Sequence, residues 1–146
     1  MYEVLKHAHS GLRWIALLSL LFAVINAFVK WRGHKGTFSK GDKILVLSAL
    51  IFAHIQLLIG FVLYGLSPNV EFSSHTMGDS RIRFFTVEHT LMMTLGIAFI
   101  TIGYGKTKRL VEAHQQFRTI FVFYTIGLAL ILSRIPWPGI HGAGWF

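Results

Sequence analysis

The sequence predicts an all-α integral membrane protein, a transmembrane bundle of four helices running up-down-up-down. Of its 146 residues, 53% are hydrophobic and only 14% are charged, whereas a soluble domain carries about 25% charged residues. Four apolar segments are long enough to cross a bilayer, which takes about 20 helical residues. The net charge of +8 comes from residues between these segments, not from one solvated face, which argues against a nucleic-acid partner. The length suits one domain, residues 1–146.

The predicted spans cover residues 11–29, 44–66, 84–105 and 117–133. The first contains Arg13 and is expected to be retained, because Lys30 follows it where a cleaved signal peptide has a small-residue site. The second has no charged residue, and the third is interrupted by Glu88. The fourth follows the polar segment HQQFR and ends before Pro136, which cannot continue a helix.

The connecting segments predict the orientation. Basic residues cluster between spans one and two and again between spans three and four. They are Lys30, Arg32, Lys35, Lys40 and Lys43 in the first cluster and Lys106, Lys108 and Arg109 in the second. By the positive-inside rule, both clusters are expected in the cytoplasm, with both termini facing outward. The expected location is a bacterial inner (cytoplasmic) membrane, crossed several times.

Each span carries one histidine within it or near its end: His9, His54, His89 and His114. A polar side chain in a membrane is costly, so each is a candidate functional residue. Counted from the basic ends at about 1.5 Å per residue, the heights are about 31 Å for His9, about 25 Å for His89, about 16 Å for His54 and about 8 Å for His114. The heights predict an outer pair, His9 with His89, and an inner pair, His54 with His114.

Each predicted pair comes from alternate helices, which face each other diagonally in a four-helix bundle. The diagonal, roughly 11–14 Å between axes, admits a flat macrocycle with an imidazole on each side. Imidazole is a common axial ligand of haem iron, so the pattern predicts two b-type haems with histidines as metal ligands. The wide spacing suits haem better than a small metal ion. The absence of cysteine excludes iron–sulfur clusters and covalently attached c-type haem.

Charged residues near the spans suggest partners for the haem. Arg13 and Arg134 lie on the outer side and could bind the propionates of an outer haem, since arginine pairs with carboxylates in a bidentate manner. Arg118 could serve an inner haem or extend to lipid headgroups. Glu88 has three candidate roles: pairing with an arginine, orienting the free N–H of a histidine, or moving protons with a quinol.

Small and amide residues on the spans have two possible uses. His89, Gly96 and Gly103 recur every seven residues, so they lie near one face of the third helix. Glycines there would let a porphyrin edge approach the backbone or would serve ordinary helix packing in a membrane. Gln56 points away from His54 and is expected to form a hydrogen bond between helices.

Several motifs resemble small four-span bacterial membrane proteins described as cytochrome b-like. They are HSGLRW at His9–Trp14, HIQLLIGFVLYGLSP at His54–Pro68, RFFTVEHTLMM at Arg83–Met93 and RIPWP at Arg134–Pro138. The layout also resembles cytochrome b561-type proteins, in which histidines on alternate helices hold two b haems. That resemblance implies the same two histidine pairs, although this chain has fewer helices than full b561 proteins.

The pattern therefore predicts a membrane b-type cytochrome, with two haem b groups, that passes electrons to or from quinol or another respiratory-chain component. An electron carrier is favoured over a stand-alone enzyme, either within a larger complex or as a homo-oligomer. The alternative is a haem-free accessory or scaffold subunit, whose histidines form hydrogen bonds between helices. A third hypothesis is a single haem held by His54 and His89.

Overall fold

A computed structural model describes residues 1–34 and 36–140 of the chain, and within them the regular structure is helical, with no strand. Four helices are long and apolar enough to cross a membrane. They are α1 (Tyr2–Gly33), α2 (Lys40–Leu66), α3 (Ser80–Thr107) and α4 (Ala113–Arg134). The all-helical, four-span prediction is confirmed. All four helices begin before the predicted apolar segments, because helical backbone continues into the polar residues at their ends.

The four helices form a ring in which each packs against its neighbours in the sequence and α4 closes against α1. The α3–α4 interface is the most extensive and the α2–α3 interface is the least. Helices α1 and α3 therefore lie on one diagonal, and α2 and α4 lie on the other. We call the end of the bundle that carries Lys30, Lys43 and Lys106 the basic end, and the opposite end the His9 end. Lys35 lies outside the described residues.

Glycines bring α3 and α4 into close contact. A Cβ atom added at Gly96 would lie 2.9 Å from the carbonyl oxygen of Gly127, and one added at Gly127 would lie 2.6 Å from Ile100 Cγ1. A Cβ at Gly103 would overlap the Cβ of Phe123. Of the two uses considered for Gly96 and Gly103, helix packing is therefore confirmed and room for a porphyrin edge is not. Both face α4, where small residues let two backbones approach.

The half of the bundle toward the basic end has a filled core. Ala23, Ala49, Ile100 and Tyr124 are all fully buried there. The hydroxyl of Tyr124 donates to the backbone carbonyl of Val46 at 3.0 Å, which joins α4 to α2 across the diagonal. Close packing of this kind leaves no room for a flat cofactor between these two helices at this depth.

Asp42 joins the start of α2 to α1 at the basic end. Its Oδ1 accepts hydrogen bonds from Lys30 Nζ at 2.6 Å and from Asn26 Nδ2 at 2.8 Å. Its Oδ2 accepts from the backbone N–H of Ser39 at 2.9 Å, while the Ser39 hydroxyl caps the helix. The side chain is 3% exposed. Both oxygens of this buried carboxylate are therefore hydrogen-bonded.

We expect Asp42→Ala to lower the free energy of unfolding in detergent by about 1.5–3 kcal/mol, the range for hydrogen bonds to a charged group. The matched control is Glu3→Ala, which removes an ion pair with Lys6 of the same 2.6 Å length but with a carboxylate that is 64% exposed. Exposed pairs contribute little, so the control should unfold like the parent. Equal losses in the two variants would contradict the assigned role of Asp42.

Asp79 caps the start of helix α3 and lies outside the span. Its Oδ1 accepts hydrogen bonds from the backbone N–H groups of Ile82 at 2.9 Å and Arg81 at 2.8 Å. These N–H groups lower the pKa of Asp79 below its ordinary value, because they stabilise the ionised form. After one α-helical turn the backbone becomes π-helical over Phe84–Glu88 and then returns to α-helix at His89. Such π segments are rare and are often found at functional sites.

Candidate functional site

His9 of α1 and His89 of α3 meet across the diagonal of the bundle. Their ring centres are 6.4 Å apart, and the ring planes are inclined at 81°. The structure thus brings together the outer pair that the sequence predicts. Because α1 and α3 are not neighbours in the ring of helices, this contact lies on the axis of the bundle.

The π-helical segment and the end of α4 fix the orientation of His89. Its Nδ1 lies 2.8 Å from the carbonyl oxygen of Arg134. A carbonyl oxygen can only accept, so Nδ1 carries the proton and Nε2 of the neutral ring has the free lone pair. The ring of Phe84 stacks on His89 with centres 5.9 Å apart. His89 is therefore held in the tautomer that a metal ligand needs.

Glu88 acts on this arrangement through Arg134. Its carboxylate accepts a hydrogen bond from Arg83 Nε at 2.9 Å and forms an ion pair with Arg134 Nε at 3.3 Å. Of the three roles considered for Glu88, pairing with an arginine is confirmed. The guanidinium of Arg134 binds Glu88, and the propionate contact of Arg134 stays a prediction. The backbone of Arg134 supplies the carbonyl oxygen that holds His89.

His9 is enclosed by α2. A Cβ added at Gly60 would lie 3.3 Å from His9 Cε1, so glycine is needed for the ring to sit this close to the helix. Gln56 Nε2 donates to the backbone carbonyl of His9 at 2.6 Å. This is the hydrogen bond between helices that the sequence predicts for Gln56. Nδ1 of His9 is buried and has no hydrogen-bond partner among the described residues.

A cavity of about 240 Å³ opens beside the two rings. Its lining comes from all four helices and includes His9, Arg13, Gly60, Arg81 and His89. Arg13 is only 6% exposed, and its Nη1 donates to the carbonyl of Pro136 at 2.9 Å. The cavity therefore combines an apolar wall, two neighbouring imidazoles and a buried cation. Such convergence is typical of a cofactor site.

The structure does not bring the predicted inner pair together. His54 lies 12 residues along α2 from Asp42, about 18 Å, and Asp42 is level with Lys30 through their ion pair. His114 stacks on His34 with ring centres 4.7 Å apart, so it lies at the basic end. The prediction that His54 and His114 share an iron is wrong. The height of His114 was overestimated because α4 starts only at Ala113.

His54 has its own partners in the span. Its Nδ1 lies 2.9 Å from the carbonyl of Leu50, and its Nε2 lies 3.3 Å from Thr101 Oγ1. Thr101 is 12 residues beyond His89 on α3, about 18 Å along the helix. His54 and His89 are therefore too far apart to share one iron, and the third hypothesis is also wrong.

Arg118 lies on the exposed face of α4, near the basic end. It does not line the cavity beside His9 and His89. In this position the arginine can extend to lipid headgroups, which was the alternative role considered for it.

Gln56, Gly60 and Arg81 are the site residues that sequence reasoning missed. The signal for Gly60 was present, since it follows Gln56 by one helical turn and shares its face. Arg81 precedes the predicted third span, and no feature of the sequence links it to the histidines. Within the described ranges, no three histidine or acidic side chains converge on a point that could hold a metal ion. The arrangement offers two adjacent imidazoles instead.

Comparisons with known protein families, with curated proteins and with solved structures find no match to this chain. The resemblance to cytochrome b-like proteins remains a prediction from sequence motifs. The function is therefore argued from the geometry of the site.

Proposed function

We propose that this chain is a membrane b-type cytochrome that holds one haem between His9 and His89 and carries electrons. The proposal depends on one observation, the 6.4 Å separation of the two imidazole ring centres. It retains the outer site predicted from the sequence and omits the inner one.

The separation matches the spacing that two axial imidazoles require. An imidazole nitrogen binds a metal at about 2.0–2.1 Å, and roughly 1.15 Å separates that nitrogen from the ring centre, so two such rings on opposite sides of one metal have centres about 6.4 Å apart. Each ring can rotate about its own metal–nitrogen bond, which makes the angle of 81° compatible with ligation. The residues present therefore fit the group.

The surroundings supply what a haem ligand site needs beyond the two nitrogens. Arg134 holds the tautomer of His89 through its carbonyl oxygen. Arg13 and Arg81 place positive charge on the cavity wall, where the anionic propionates could be bound. The packed core excludes water from the side toward the basic end, and burial helps to set the reduction potential. When bound, haem iron supplies one-electron transfer between its ferrous and ferric states.

We further propose that the basic end faces the cytoplasm of a bacterial inner membrane and that quinol, or another respiratory component, exchanges electrons with the haem. The charge distribution supports the orientation through the positive-inside rule. Because the cavity is at the His9 end, a haem held there would lie near the outward surface in this orientation. A larger complex or a homo-oligomer remains compatible with this function.

The first experiment is purification in mild detergent from haem-replete cells. We expect a red protein with reduced-minus-oxidised bands of a low-spin b-type cytochrome and one haem per chain. A haem content near two would contradict the single site.

A colourless preparation would contradict the cytochrome proposal and favour the second candidate function, that of a haem-free accessory or scaffold subunit. The wide lipid-facing surface, with exposed Phe22, Leu58 and Phe61, could then serve as a partner interface. Co-purified subunits, identified by mass spectrometry, would test that function.

A further inference from the structure

The two proposed ligands, His9 and His89, differ in the hydrogen bonding of their Nδ1 atoms. Nδ1 of His89 donates to the carbonyl oxygen of Arg134 at 2.8 Å. Nδ1 of His9 is buried, and no hydrogen-bond partner reaches it in the described part of the chain. Buried polar atoms are nearly always hydrogen-bonded, so an exception calls for a physical reason.

Gln56, beside His9, carries a second buried polar atom that lacks a hydrogen-bond partner among the described residues. Its amide nitrogen lies 2.6 Å from the backbone carbonyl of His9. Since a carbonyl only accepts, the atom facing it must be the NH₂ group, and the other amide atom is therefore the acceptor Oε1. This Oε1 is buried and, among the residues that the structure describes, has no partner either.

The imidazole of His9 turns its Nδ1 edge toward the face of α2 that carries Gln56. A Cβ atom at Gly60 would lie 3.3 Å from Cε1 and 4.0 Å from Nδ1 of that ring. Gly60 follows Gln56 by four residues, so both lie on one face of the helix. A ring nitrogen and an amide oxygen, both without partners, are thus neighbours in one interface.

We infer that Gln56 Oε1 accepts the hydrogen bond of the His9 Nδ1–H group when Nε2 of that ring binds iron. This inference rests on the proposed function, because ligation through Nε2 leaves the ring proton on Nδ1 and makes it a donor. Gln56 is then a positioning residue. It fixes the tautomer and plane of His9 and raises the basicity of its free nitrogen, as the Arg134 carbonyl does for His89.

The test uses ferrous protein labelled with ¹⁵N-histidine, in which each axial ligand contributes one Nδ1–H signal. We expect Gln56→Leu to move the proton signal of His9 upfield and to speed its exchange with water, while the signal of His89 stays in place. Haem affinity should fall by about tenfold, the lower end of the range for loss of a ligand's hydrogen-bond partner. The reduction potential should rise, because a less basic imidazole stabilises the ferric state less.

A second variant covers the case in which Gln56→Leu does not fold. Like the leucine variant, Gln56→Glu loses the NH₂ donor to the His9 carbonyl, but it keeps an acceptor of nearly the same shape and makes it a stronger one. We expect the His9 signal to move downfield and the potential to fall, opposite in sign to the leucine variant. A purely structural role for Gln56 would not produce opposite shifts confined to one ligand.

The control is the same substitution at the other end of the bundle, Gln116→Leu. Gln116 Nε2 donates to the carbonyl of Leu110 at 2.8 Å and is remote from the site. Both axial signals should remain unchanged in this variant.

The outcomes separate the two proposals. Unchanged His9 signals and haem affinity in both Gln56 variants would overturn the inference and leave the cytochrome proposal intact. Parent protein that binds no haem would overturn the cytochrome proposal and, with it, the inference. A shifted His9 signal beside a constant His89 signal supports both.

Discussion

Replacing either His9 or His89 with alanine should abolish the b-type spectrum completely. The proposed site needs both imidazoles, and each variant would leave the iron with only one of them. Each variant is expected to lose haem during purification, so both should be colourless or nearly so. The measurement is haem per chain by the pyridine haemochrome assay, together with the reduced-minus-oxidised spectrum. Both single variants should give the same result, since the two rings belong to one site.

The chain offers two histidine controls of matched type. His54→Ala removes a ring that bridges Leu50 and Thr101, and His114→Ala removes a ring that stacks on His34. Both variants should retain the full haem content. Loss of haem in either control, or retention in the His9 and His89 variants, would contradict the proposed ligand pair.

Gly103→Ala should destabilise the bundle by about 1–3 kcal/mol, the usual cost of adding a methyl group to a filled interface. The new Cβ would overlap the Cβ of Phe123, which is attached directly to the backbone and cannot rotate away. Helices α3 and α4 would have to separate near Gly103. The change is measured as the free energy of unfolding in mixed micelles with increasing denaturing detergent.

Gly105→Ala is the matched control on the same helix, two residues away. A Cβ at Gly105 meets no atom within 4 Å. Alanine there should leave the stability unchanged or raise it by about 0.5–1 kcal/mol, because glycine is the poorer helix former. Equal changes in stability at both positions would contradict the role assigned to Gly103 in the α3–α4 contact.

The success and failure of the histidine pairing have a common cause. Counting residues from the basic ends placed His9 and His89 at similar heights, and the structure brings these rings together. The same counting fails for His114, because α4 begins only at Ala113 and not at the basic cluster that ends with Arg109. It also could not show that His54 faces Thr101 on α3 and not α4. The height of a residue in the bundle follows from its position along its own helix, whereas the direction of its side chain depends on how that helix packs against its neighbours.

For the residues around the site, too, the sequence predicts some features and the packing of the helices decides the others. That Gln56 forms a hydrogen bond between helices was predictable from its position in an apolar span. That its partner is the carbonyl of His9 depends on how α1 and α2 are rotated against each other. Likewise, the seven-residue spacing of Gly96 and Gly103 predicted one shared face. Only the packing shows that this face meets α4 and not the cavity.

The sequence by itself determined the all-helical membrane architecture, the order of the four spans and the candidate histidines, because hydropathy and the rise per residue are properties of each segment alone. The tertiary structure alone decided which histidines meet, which carbonyl orients His89 and where the cavity lies. These depend on the rotation of each helix about its axis, which is selected by close contacts between helices that are distant in the sequence.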